Sequence, residues 1–217
     1  MAGTVAEQFD LQLERGHKGG LPPGGEFGGG DSGGRGRPIP RRAYMTGITL
    51  ALGAILMFFL ALTSSYIVRR GLGMDWKGFR LPRVVWANTA VLLASSLTLE
   101  LARKRLARGE TEGFRNLWML TTGLGLLFLG GQLAAWRQLR GAGVFLSTNP
   151  SSSFFYVFTA AHGLHLLGGV IGLLYVAFRS WQRSRTTQAV ASEVAAVYWH
   201  FLDGLWVYLL LLFTLGR

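Results

Sequence analysis

Long runs of apolar residues, broken by short polar segments, organise this chain from Thr46 to Arg217. Five of them approach or exceed the roughly 20 residues with which a helix crosses a hydrocarbon core about 30 Å thick. They are Gly47 to Val68, Val84 to Ala102, Leu117 to Trp136, Phe154 to Phe178 and Val194 to Leu215. The connecting segments are short: Arg69 to Arg83 with Gly71, Gly73 and Pro82, then Arg103 to Asn116, Arg137 to Ser153, and Arg179 to Glu193. The pattern predicts an all-α fold, an integral membrane bundle of five transmembrane helices over residues 47–217. Short links make sequence neighbours pack antiparallel, and an odd number of spans puts the termini on opposite sides.

Residues 1–46 differ in kind. They hold no apolar run long enough for a secretory signal peptide or a span. Eleven of the 21 residues from Gly16 to Gly36 are glycine, too little apolar surface to offset chain entropy, so a flexible tail is expected. His17 within it is read as solvated.

Composition sharpens the class. Of 217 residues, 50% are hydrophobic and only 15% charged, with no cysteine. The missing thiols exclude disulfide scaffolds, thiolate zinc sites, iron–sulfur clusters, covalent c-type haem and cysteine-bridged copper. The net charge of +11 sits in the tail and in the short links, so it is loop charge and no nucleic-acid partner is expected. With a cytoplasmic tail, 14 of the 22 Lys and Arg fall on the inner side, which favours N terminus inside and C terminus outside. Trp76, Trp86, Trp118, Trp136 and Trp181 lie near span ends, where amphipathic indoles meet the headgroups.

Within the spans, small residues supply packing surface. Gly123, Gly125, Gly130 and Gly131 in the third span, and Gly163, Gly168, Gly169 and Gly172 in the fourth, permit close backbone approach. Gly168 and Gly172 form a G-x-x-x-G pair, read as internal packing ahead of a dimerisation face.

Ionisable groups at membrane depth are few, and each costs about 2.5–3.5 kcal/mol on insertion scales unless it finds a partner. His162 and His165 lie about 60° apart on the fourth span; Glu193, His200 and Asp203 fall within about 80° on the fifth. Antiparallel packing brings the two faces to similar depth, which predicts a buried, hydrogen-bonded cluster of His162, His165, His200 and Asp203. Three roles are open to it: a polar staple between helices, proton handling or ligand contact, and metal or haem ligation with His162 or His165 facing His200. Three histidines do not suffice for a haem and a copper centre together. Glu100 precedes Arg103 and Lys104 and pairs locally with them or serves proton entry. Asn88, Gln132, Ser64 and Ser65 are expected to hydrogen-bond between helices or to backbone. Ser151, Ser152 and Ser153 lack a Gly-x-Ser-x-Gly frame, which speaks against an intramembrane serine protease.

The segment Phe155-Tyr-Val-Phe-Thr-Ala-Ala-His162-Gly-Leu-His165-Leu-Leu-Gly-Gly169, followed by Glu193-x4-Tyr198-Trp199-His200-Phe201-Leu202-Asp203-x2-Trp206, resembles subunit III of the haem-copper oxidases, the cytochrome c oxidase family. Asn88-Thr89, Ser95 to Glu100 and Met57-Phe58-Phe59 extend the likeness over Gly47 to the C terminus. It resembles the five-span bacterial form, without the first two helices of seven-span members. Where many members read Ser-Glu-x-Met-Phe-Phe, this chain has Ala54-Ile55-Leu56-Met57-Phe58-Phe59, so no role of that embedded glutamate carries over.

The resemblance implies a subunit without catalytic residues, metal or other cofactor of its own, in an aerobic complex that passes electrons from cytochrome c to O2 and translocates protons. Haem and copper then reside in partner subunits I and II. This chain packs on subunit I, binds phospholipid in a cleft, and sustains turnover by helping proton uptake and oxygen access. The histidine–aspartate set fixes the fourth and fifth helices, and Glu193 caps the fifth helix's inner end or meets a lipid headgroup. A bacterial plasma membrane is expected, because Glu7, Asp10, Glu14, Glu26 and Asp31 do not suit a transit segment. Two alternatives stand beside this reading: a subunit III-like component of a quinol oxidase or nitric oxide reductase, and a free-standing membrane carrier or b-haem protein.

Overall fold

The computed structural model describes residues 41–72, 76, 81–180 and 185–216. The glycine-rich segment with His17, and Trp181, lie outside the described residues. Five helices follow one another: α1 (Arg41–Leu72), α2 (Arg83–Ala107), α3 (Thr111–Gly141), α4 (Pro150–Ser180) and α5 (Arg185–Leu215). All five are long and apolar enough to cross a membrane, and no strand occurs among the described residues. The fold is an all-α transmembrane bundle.

Each helix outruns its apolar run. α1 begins at Arg41, six residues ahead of Gly47, and its 32 residues extend about 48 Å, the thickness of a bilayer with its headgroups. Charge ends an apolar run but not a backbone hydrogen-bond ladder, since long Arg stems carry their heads to water while the helix continues.

α2 and α3 form a tight antiparallel hairpin. Arg108 and Glu110 N–H groups close onto the Lys104 and Arg105 carbonyls, and Gly109 between them takes φ 81°, the left-handed region that glycine enters without a Cβ penalty. Along the hairpin, Asn88 Nδ2 donates to the Phe128 carbonyl at 3.0 Å and Thr98 meets Thr121 at 2.8 Å. α4 returns antiparallel to α3. The Trp118 indole donates to the Leu173 carbonyl at 2.9 Å, and Trp136 donates to Thr159 Oγ1 at 3.1 Å. These two indoles, within about two turns of the opposite ends of α3, tie α3 to α4 by their ring N–H groups.

α5 is the central helix. It runs antiparallel to α4 and to α2, where Trp206 Nε1 donates to Thr89 Oγ1 at 3.0 Å. It runs parallel to α1, where Tyr208 donates to Thr63 Oγ1 at 2.9 Å and Tyr66 to the Gly216 carbonyl at 3.3 Å. The prediction that sequence neighbours pack together holds for three pairs and fails for the first. No Cα of α1 comes within 8 Å of one on α2; α1 rests on α4 and α5 instead. The ten-residue link from 73 to 82 is long enough to carry the chain past α5, and the aromatic face of α1 (Phe59, Tyr66) finds its partners Phe154, Phe158 and Phe213 on α4 and α5.

The glycines divide by face. A Cβ on Gly131 would lie 2.1 Å from Asn88 Oδ1, and one on Gly125 2.7 Å from the Trp199 ring. Gly169 is tight but less so, 3.0 Å from Tyr198 and 3.3 Å from Trp199, whereas Gly123, Gly130, Gly163 and Gly172 have nothing within 4 Å of that position. The G-x-x-x-G pair thus points outward at Gly172 and only grazes Tyr198 at Gly168. Internal packing falls to its neighbour Gly169.

Gly131→Ala is expected to destabilise the chain by about 1–3 kcal/mol through overpacking against Asn88. Adding Asn88→Ala should recover part of that loss, seen as a non-additive double-mutant cycle of thermal midpoints in detergent. Additive losses would show that the two side chains do not meet.

Candidate functional site

The polar and aromatic groups of the interior gather where α5 crosses the other helices. Trp199 is fully buried. Its Nε1 donates to Ser95 Oγ of α2 at 3.0 Å, while its six-membered ring lies against Gly125 of α3 and Gly169 of α4. One indole thus touches three helices besides its own. One residue earlier, Tyr198 donates to the His165 carbonyl at 2.9 Å, a main-chain acceptor already engaged in the helix ladder that has a second lone pair to offer. Two turns on, Trp206 stands edge-on to Phe128 at 5.0 Å and tilted over His162 at 5.1 Å between ring centres.

The four residues expected as one hydrogen-bonded cluster occupy three separate environments. His162 is fully buried between Phe128 and Trp206, and neither of its nitrogens has a hydrogen-bond partner. His165 turns toward α1, packing on Phe58 and Phe59, with Nδ1 2.7 Å from the Ala161 carbonyl of its own helix. His200 is exposed on α5, its Nδ1 2.5 Å from Ser96 Oγ of α2. Asp203 is buried in the same environment as His200: its carboxylate faces the Ser96 hydroxyl that His200 meets, although neither oxygen makes a well-formed hydrogen bond. The 60° or so between positions three apart on a helix is enough to send His162 into the bundle centre and His165 into the α1 groove. Gln132 likewise has no partner on either amide atom, contrary to expectation, while Asn88 and Ser65 do bond to backbone carbonyls.

The two carboxylates at the edges are paired. Glu193 receives both Arg41 Nε, at 2.9 Å, and Arg41 Nη2, a two-point clamp joining the start of α1 to α5. It does not cap α5, because that helix begins at Arg185, two turns earlier than the apolar run indicated. Glu100 accepts from Arg103 at 3.0 Å, the local pairing foreseen. At the other end, a polar cleft of about 650 Å³ between the end of α1 and the start of α4 is lined by Ser65, Arg69, Thr148, Asn149 and Ser153 among others.

This chain's residues do not fit a haem or copper centre. A b-type haem needs two imidazoles facing one another across the macrocycle, yet His162 is enclosed by aromatic rings, His165 is turned to α1 and His200 lies on the outside of α5. Among the described residues no three of His, Cys, Asp and Glu are grouped so as to hold a metal ion.

Residues 41–215 match the family model described as cytochrome c oxidase subunit III. The chain belongs to the cytochrome c oxidase subunit III family. Similar proteins include the probable cytochrome c oxidase subunit 3 of Mycobacterium tuberculosis, 34% identical over 167 residues that make up 74% of this chain and 82% of the relative. The cytochrome c oxidase subunit 3 of Synechocystis sp. is 31% identical over 175 residues, 77% of this chain and 73% of the relative. That of Thermostichus vulcanus is 30% identical over 174 residues, 78% and 84% of the two chains. As a subunit III, the chain is a multi-pass membrane protein of an oxidase complex and a subunit without redox centres.

Within this subunit III, sequence reasoning quoted Trp199 and Trp206 as a motif but assigned them no place. The signal was present in Gly125 and Gly169, paired small residues on two helices that leave room for one large ring between them.

Trp199→Ala is expected to cost about 3–5 kcal/mol, as for other large buried rings. Trp199→Phe removes the Ser95 bond, ~0.6 kcal/mol for a typical interhelical hydrogen bond, and leaves part of the indole's space empty at a further cost of about 1–2 kcal/mol, so it should cost less than alanine. Unfolding in detergent measures both, and equal losses would mean that the hydrogen bond, not the ring, holds the joint.

Proposed function

We propose that this chain supports the catalytic subunits of an aerobic terminal oxidase that takes electrons from cytochrome c and reduces O2 with proton translocation. Its partners in this reading are subunits I and II, which carry the haem and copper, and the complex sits in a bacterial plasma membrane with the α1 start and the basic links on the cytoplasmic side. The observation that carries it is the match of residues 41–215 to the subunit III family, on a bundle whose histidines are set apart from one another. Support by surface contact is what such a chain has to offer.

Phospholipid is the proposed bound ligand. The polar cleft beside Arg69 and Ser153 lies where α1 ends and α4 begins, and Val68 and Val157 of the same two helices are exposed, a combination suited to a headgroup above acyl chains. His162, His165, His200 and Asp203 are proposed to serve packing, each within its own interface, with no proton relay through them. In support, no direct hydrogen bond joins any two of them; only His200 and Asp203 share a neighbour, the Ser96 hydroxyl.

Isolation of the full chain in mild detergent is expected to bring down a multi-span haem protein and a copper-binding partner. The chain freed of them should hold no iron or copper, and stoichiometric metal on the freed chain would overturn the reading. In the assembled oxidase, Asp203→Asn should change oxygen consumption per haem by no more than about twofold, ~0.4 kcal/mol of barrier. A much larger loss with assembly intact would place the carboxyl in proton transfer.

A further inference from the structure

We infer that the gap between α1 and α2, floored by α5, seats a transmembrane helix of another oxidase subunit, which presents a polar side chain to His200. The inference rests on the family reading above and adds which face of this chain makes the joint.

Helix angles define the gap. Taking Trp199 as the origin on α5, Asp203 and Trp206 lie within about 40° and face α2, Tyr198 lies about 100° to one side and faces α4, and Tyr208 lies opposite and faces α1. The sector left over, about 100–160° from Trp199, holds Glu193 at its inner end, clamped to Arg41 of α1, and beyond it Val197, His200, Gly204, Leu211 and Leu215. The last five are exposed. The flanking walls, by the same arithmetic, are Leu56, Leu60 and Ile67 on α1 and Trp86 and Leu93 on α2, between 43% and 59% exposed. α1 and α2 keep their Cα atoms more than 8 Å apart along their whole length, so beyond the Arg41–Glu193 clamp the two backbones do not close over α5.

Its chemistry differs from that of the opposite perimeter. The outer face of α3 and α4 exposes Met119, Leu126, Leu127, Leu164, Leu167 and Ile171, surface that hydrocarbon covers without cost. In the gap an imidazole stands exposed six residues, about 9 Å, inside the apolar stretch that begins at Val194. Its Nδ1 meets Ser96; among the described residues, Nε2 has no hydrogen-bond partner. Glu100 and Arg103 of α2 are near enough to act on the ring, but neither is bonded to it, and acyl chains offer neither donor nor acceptor, so protein is the partner suited to satisfy it. Gly204, one turn from His200, has nothing within 4 Å of its Cβ position. A second helix can therefore approach the α5 backbone closely, the arrangement that small residues allow in lipid.

The open setting of Val197 permits a test in native membranes. A photo-crosslinking amino acid at Val197 is expected to join this chain to another subunit of the haem-containing complex, whereas the same group at Leu126 captures lipid. Gly204→Trp should lower the amount of this chain per haem in the purified oxidase about tenfold, equivalent to ~1.4 kcal/mol. The thermal midpoint of the isolated variant should stay unchanged, because the new ring projects into open space. Crosslinking of Val197 to lipid or to a second copy of this chain, or retention of the Gly204→Trp variant at full stoichiometry, overturns the inference while the wild-type chain still co-purifies with the oxidase. If the wild-type chain co-purifies with no haem protein, the family reading fails first and the inference with it.

Discussion

The bundle depends on the seat of one side chain, the Trp199 indole. In lipid, apolar side chains gain little by leaving hydrocarbon for one another, so helix association rests on close packing and on interhelical hydrogen bonds worth about 0.6 kcal/mol each. Trp199 collects both in one place. It fills the space above Gly125 and Gly169 and donates to Ser95, so α2, α3 and α4 are all registered against α5 by a single rigid ring. The remaining ties fall into step with it: Trp206 to Thr89 lies two turns further along the same α2–α5 seam, and Tyr198 to the His165 carbonyl fixes α4 at the next residue. Shift α5 by one residue and all three are lost together.

That arrangement explains how the interior polar residues are disposed. Most interhelical donors are indoles, phenols and hydroxyls, which carry no charge and need only one acceptor. The titratable groups are handled differently: His162 by aromatic contact, Glu193 by a clamp at the bundle's edge, and His200 by the outer rim. A hydrogen-bonded histidine–aspartate knot at the centre would need the space that Trp199 and Trp206 occupy.

How much of this the sequence disclosed depends on the kind of question. The five spans were legible because hydrocarbon imposes a length and a polarity that composition reports directly. Their ends were not, because Arg41 and the residues from Arg185 onward continue a helix into the headgroup layer, where polarity says nothing about backbone conformation. The site was legible as a set of residues, and the Tyr198-Trp199-His200 run drew attention to the right part of α5. Its geometry was not. Angles along one helix tell which residues share a face, yet not how that helix is rotated against its neighbour, and a turn of a few tens of degrees separates His162 from His165. Gly131 and Gly130 show the same limit: adjacent in sequence and identical in type, one holds Asn88 and the other faces outward.

The position of α1 bears on what the chain is built to do. A ring of the other four helices closed around α5 would present lipid with a more uniform apolar surface and bury His200. Here the chain leaves α1 and α2 apart at the one sector where α5 carries an imidazole and an open glycine, and it holds α1 on the far side with the Arg41–Glu193 clamp and the Tyr208–Thr63 bond. Closing the gap within this chain would satisfy α5 but leave a partner no polar handle. Keeping it open leaves a cost that assembly can remove. On the inference that a partner helix seats there, an interface less favourable in lipid than against protein is a physical reason for this subunit to remain in the complex.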